Sequence, residues 1–123
     1  MKKFMAVLLS AALPLFSACA AETKYESISQ DKAKSMMDGG GVIVVDVREL
    51  WEYNNAHIAG AINLPLGSIK DNAAEVLPDK DAVILVYCQS GRRSKSGAQA
   101  LAGLGYTKVY EFGGIGKWQY GKV

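Results

Sequence analysis

Two apolar runs organise the chain: VIVVDV (Val42 to Val47) and AVILVY (Ala82 to Tyr87). Both are rich in β-branched residues and neither alternates apolar with polar, which predicts strands buried on both faces. A third, shorter run, KVYEF (Lys108 to Phe112), predicts a last strand. Between them the apolar spacing turns helical. Ser29 is placed to cap a helix running to about Met37, closed by Gly39-Gly40-Gly41. Arg48 to Asn55 reads as a short helix, and AINLP (Ala61 to Pro65) as a short strand or extended turn. Leu66 to Leu77 has helical spacing and stops before Pro78. Ser94 to Leu104 is a helix of small residues closed by Gly105, and the glycine-rich tail is a loop that Trp118 pins to the core.

Strands and helices in alternation predict an α/β domain with a mainly parallel central sheet flanked by helices. At 123 residues there is room for one such domain, placed at 29–123, with 21–28 as a polar linker.

Residues 1–20 break the pattern. Lys2 and Lys3 precede an apolar run from Phe4 to Phe16 and then the small residues SACAA. That layout predicts a secretory signal peptide and hence a periplasmic protein, the run being short for a membrane span. Ala18-Cys19-Ala20 suits ordinary cleavage, whereas Leu15 to Cys19 resembles a lipobox, with Cys19 lipidated and holding the protein to the membrane. Removing the leader changes the charge. The 14 basic residues, less Lys2 and Lys3, leave 12 against 12 acidic ones, so no nucleic-acid partner is indicated. It changes the cysteine count too. Of Cys19 and Cys88, either route leaves Cys88 without a partner for an internal disulfide, and a lone thiol in an oxidising compartment is buried or used.

The company of Cys88 favours use. Gln89, Ser90 and Gly91 permit a tight curl after the strand, and a curl turns successive N–H groups inward as an anion-binding nest. The helix near Ser94 adds its positive end, and Arg92 and Arg93 add fixed charge; all three favour the nucleophilic thiolate. No acid lies between Asp81 and Glu111, while Arg92, Arg93, Lys95 and Lys108 are basic, a field suited to a small anion.

Together, DVRELWEYNNAHIAGAINLP (Asp46 to Pro65), CQSGRRS (Cys88 to Ser94) and GGIGKW (Gly113 to Trp118) resemble the three signature stretches of the rhodanese family, over about Ser27 to Trp118. The size and exported state resemble its single-domain periplasmic members. The resemblance implies a thiosulfate sulfurtransferase in which Cys88 takes a sulfane sulfur as a persulfide and passes it to cyanide or a thiol. It makes Gln89, Ser90, Gly91, Arg92, Arg93 and Ser94 the substrate cradle, with Arg93 at the family's fixed position and Arg92 at a variable one. Asp46, Arg48 and His57 match structural motif positions, Ala56 standing where the family usually has glycine. It implies no cofactor and no metal. A small anionic donor, or a protein donor or acceptor, would be the partner. Persulfide carrier and non-catalytic binding module remain as other uses of the same fold. A cysteine phosphatase fits less well: four residues separate Cys88 from Arg93 where phosphatases have five, and Tyr87 replaces their usual histidine.

Overall fold

The computed structural model describes residues 24–123. The expected leader, Cys19 included, lies outside them. Five strands form one sheet in the order β1-β5-β4-β2-β3, every neighbouring pair parallel. The strands are β1 (Glu26–Ser27), β2 (Val42–Asp46), β3 (Ile62–Asn63), β4 (Val83–Cys88) and β5 (Lys108–Gly114). The helices are α1 (Gln30–Gly39), α2 (Leu50–Asn55), α3 (Ile69–Val76) and α4 (Arg92–Gly103), with single 3₁₀ turns at Leu66–Ser68 and Ile115–Lys117.

Parallel strands need crossovers, and the crossover helices cover both faces. Val45, Val47, Ile84 and Val86 point to one face, into a core shared with Ile69, Leu101 and Tyr106. Val44, Leu85 and Tyr87 point to the other, against Ala33, Phe112 and Trp118. The two apolar runs are therefore central strands wetted on neither side. On the first face Gly97 lets α4 lie close to β2: a Cβ there would stand 3.0 Å from Val47 Cγ1. The small residues of that helix set the approach of helix to sheet.

Several boundaries differ from the sequence reading: α2 starts at Leu50 rather than Arg48, behind its Glu49 cap, and Leu66 to Leu77 divides into a 3₁₀ turn and α3. Residues 21–28 read as linker, yet Glu26–Ser27 pairs with β5 as an edge strand, and Ile28 N–H donates to the Glu111 carbonyl at 2.9 Å. A two-residue strand has no periodicity to detect; only its partner defines it. Helix α4 begins at Arg92, not near Ser94, because Gly91 at φ +109° turns the chain directly into it. Helix α1 runs on to Gly39, two residues past Met37, and ends when Gly40 takes positive φ. Strand β5 continues to Gly114, since Gly114 pairs with Cys88.

Candidate active site

Cys88 is the last residue of β4, at the carboxyl edge of a parallel sheet where loops converge. It points to the α4 face and is only 1% exposed. The ladder between β4 and β5 slips between Val86 and Cys88, bringing Cys88 opposite Gly114 and re-aiming the strand end. From there Gln89 and Ser90 turn outward, and the buried Gly91 N–H donates to Cys88 Sγ at 2.9 Å. The loop thus folds over its own thiol, and α4 starts at once behind it.

A second turn braces the loop from outside. Gly116 N–H donates to the Gln89 carbonyl at 3.1 Å, and a Cβ on Gly113 would meet Gln30 Nε2 at 3.6 Å. Gln30 Nε2 donates to the carbonyls of Phe112 at 3.1 Å and Gly114 at 2.8 Å, tying α1 to the same turn. The GGIGKW stretch is the outer wall of the Cys88 loop, and its Lys117 lines the cleft beside it. Trp118, 8% exposed against Phe112, pins that wall to the core as expected.

The motif residues brace from the other side. Asp46 and Arg48 are buried and joined through Nε at 3.0 and 3.1 Å and Nη2 at 2.8 Å. Burial lowers the proton affinity of the Arg48 guanidinium, but the Asp46 carboxylate outweighs it and the net direction is up. The remaining Arg48 donors reach the Ala56 carbonyl at 2.7 Å and the Gln89 side-chain oxygen at 3.2 Å. The DVR motif therefore touches the loop directly, through the residue after Cys88. His57 stacks on Tyr53 with centroids 3.8 Å apart, and its Nδ1 lies 2.9 Å from the Tyr53 carbonyl. Its backbone exchanges two bonds with Val123, so its contacts are those of a local brace.

The charge field differs most from the sequence reading. The acid-free stretch around Cys88 is not acid-free in space. Arg93 forms a two-point pair with Glu52 of α2, Nη1 to Oε1 at 2.8 Å and Nη2 to Oε2 at 2.9 Å. Lys95 Nζ lies 3.5 Å from Glu111 Oε2, at the far side of the loop. Among the described residues Arg92 makes no ion pair, and it is exposed. Of the expected cradle, Gly91 contacts the sulfur, Gln89 meets Arg48, and Ser94 Oγ lies behind the loop, 3.0 Å from the Gly91 carbonyl. The two arginines contribute differently: Arg93 is fixed and paired, Arg92 is free. The loop itself stands between two clefts. One, of about 710 Å³, runs past Ser90, Gly91, Lys95 and Gly113; the other, of about 440 Å³, past Arg48, Trp51, Asn55 and Gln89.

Sequence reasoning singled out neither Glu52 nor Glu111. A signal existed for each. Glu52 sits three residues after Glu49 in a capping box, and Glu111 interrupts an apolar strand at a position that should face the core.

The Arg93 guanidinium, bonded to Glu52, holds that carboxyl at about 2 against an ordinary 4.5. A depressed folded-state value stabilises the fold above the unfolded value, and that contribution is lost as pH falls from 4.5 toward 2. With Arg93 one-third exposed and screened, the pair is expected to add about 1–2 kcal/mol at neutral pH. Urea unfolding of Glu52→Gln should show that loss near neutrality and match the parent at about pH 2. A gap that persists in acid would mean that packing, not charge, is lost.

A model of the rhodanese-like domain matches residues 29–120. The chain is 41% identical over 71 residues to the thiosulfate sulfurtransferase PspE of Escherichia coli K12, covering 58% of this chain and 68% of PspE. To the thiosulfate sulfurtransferase GlpE of Coxiella burnetii it is 32% identical over 96 residues, 77% of this chain and 88% of that one. Among solved structures, a rhodanese with anions from E. coli superposes with a TM-score of 0.61 at 39% identity, over 66% of this chain and 95% of the other.

Proposed function

The chain belongs to the rhodanese-like domain family, and from that premise we propose that it moves a sulfane sulfur from thiosulfate to cyanide or a thiol through a persulfide on Cys88. The Cys88 thiolate attacks the outer sulfur of thiosulfate; a new S–S bond forms, the old one breaks, and its electron pair leaves with sulfite. An acceptor anion then attacks the outer sulfur of the persulfide, and the returning electron pair restores the thiolate. Neither step needs a general base, consistent with a site in which His57 is occupied elsewhere.

The observation that carries the reading is the 2.9 Å donation from Gly91 N–H to Sγ at the head of α4. A backbone donor and a helix start favour negative charge on Sγ, the charge that attacks the donor and that returns when the acceptor takes the outer sulfur. The similar E. coli rhodanese structure is one with anions, the charge class of the proposed donor. GlpE and PspE support thiosulfate as donor class.

Intact-mass measurement provides the test. The protein, incubated with thiosulfate, should gain one sulfur atom and release sulfite; cyanide should return it to its starting mass. Hydrolysis of an aryl phosphate should stay negligible. If no anionic donor loads the protein but a persulfidated protein does, Cys88 belongs to a carrier; if neither does, the fold serves binding.

A further inference from the structure

Glu111 is a buried acid that the sulfur chemistry does not use. It is 2% exposed on β5, in register with Val86, and follows Val109 onto the α4 face of the sheet, the face to which Cys88 points. An apolar residue would satisfy that position, and a charge there must be matched on every side. It is. Oε1 accepts from Ser94 Oγ at 2.8 Å and from Gly113 N–H at 3.0 Å. Oε2 accepts from Ser27 Oγ of β1 and faces Lys95 Nζ. Burial raises the carboxyl, but the Ser27, Ser94 and Gly113 bonds and the Lys95 charge overcome it, so the net direction is down.

The two oxygens have different company. Oε2 looks to the edge strand and to solvent-side charge. Oε1 joins the two walls that enclose the Cys88 loop: the first turn of α4, through Ser94, and the Gly113–Gly114 turn. Ser94 also lies 3.0 Å from the carbonyl of Gly91, the residue whose N–H meets Sγ. We infer that Glu111 is a positioning residue for sulfur transfer, clamping the α4 turn to the glycine turn so that the Gly91 N–H stays on the Cys88 sulfur. The inference rests on Cys88 as the sulfur carrier, and its test is built to fail separately.

Three variants divide the carboxylate. Glu111→Gln puts an amide nitrogen against one set of donors, Ser94→Ala removes the link to the α4 turn, and Ser27→Ala disturbs Oε2 alone. Two rates are read on each folded protein: sulfur loading from thiosulfate, and alkylation of Cys88 by iodoacetamide. Glu111→Gln and Ser94→Ala should slow loading at saturating donor about tenfold, a small displacement of a reacting group being enough. Both should speed alkylation severalfold, because a slack loop uncovers a sulfur that is now 1% exposed. The double variant should be no worse than the poorer single one, since both act through one link. Ser27→Ala should lose stability and leave both rates near the parent's. General loosening of the fold would move Ser27→Ala along with the others, and that result overturns the inference. So do unchanged alkylation rates in Glu111→Gln and Ser94→Ala. Should Glu111→Gln not fold, Ser94→Ala against Ser27→Ala decides alone. Absence of sulfur loading in the parent would count against the sulfurtransferase reading, while the alkylation rates would still judge the clamp.

Discussion

Cys88→Ser should lose all sulfur loading while keeping the fold. The thiol is a small buried group with one hydrogen bond, from Gly91 N–H, and a hydroxyl can accept that bond at similar length. The stability cost should be within about 1 kcal/mol. The chemistry has no such tolerance. A serine hydroxyl stays un-ionised at neutral pH and forms no counterpart of a persulfide, so turnover should drop to the level of buffer alone. Mass spectrometry before and after thiosulfate, with urea unfolding alongside, checks both halves. A loaded serine variant would mean that sulfur is carried elsewhere, and an unfolded one would mean that the thiol is chiefly a packing group.

Gly114→Ala should be the most damaging single methyl in the domain. Gly114 has φ −122°, extended backbone that any residue adopts, so conformation does not demand glycine here. Space does. A Cβ would fall 2.1 Å from the Gln89 carbonyl oxygen, 2.5 Å from its carbon and 2.7 Å from Ser90 Cα. These are backbone atoms of the Cys88 loop, and no side-chain rotation relieves them. Either the loop or the glycine turn must shift, and the Gly116 N–H bond to Gln89 is stretched in both cases. The expected cost is about 3 kcal/mol, the upper part of the usual overpacking range. Sulfur loading should fall by about a hundredfold, since the N–H over Sγ moves with the loop. Gly113→Ala makes the informative contrast. Its Cβ would clear every neighbour by at least 3.6 Å, but its φ of +90° strains any L side chain. It should cost about 1–2 kcal/mol with less effect on loading. Equal loss of loading in the two variants would contradict a contact-specific account.

The clefts on either side of the loop suit the same picture of a thin, backbone-built site. Gln89 borders both, with its main-chain oxygen held by Gly116 and its side chain by Arg48. Loop conformation is therefore set from three directions: the DVR motif, the glycine turn and Glu111.

Much of this was legible in the chain alone. The β-branched runs at Val42 to Val47 and Ala82 to Tyr87 had to be doubly buried strands, because no polar face interrupts them. Cys88 at the end of such a strand, with Gly91 three residues on and Arg93 closing the loop, marked the candidate site at the carboxyl end of the sheet. These are local signals, written in neighbouring residues. Long-range pairing is not. Glu52 lies 41 residues from Arg93, and Glu111 lies 84 from Ser27 and 17 from Ser94. Counting charge along the chain gave Cys88 a purely basic neighbourhood; folding brought an acid to Arg93 and another to Lys95. The edge strand at Glu26–Ser27 and the clearance at Gly114 share that origin, since both exist only where a distant segment arrives. Sequence alone determined the two central strands, the α/β class and the place of Cys88 at a strand end. Tertiary structure alone decided what holds that loop still, because ion pairs, clamps and close approaches depend on distance in space rather than along the chain.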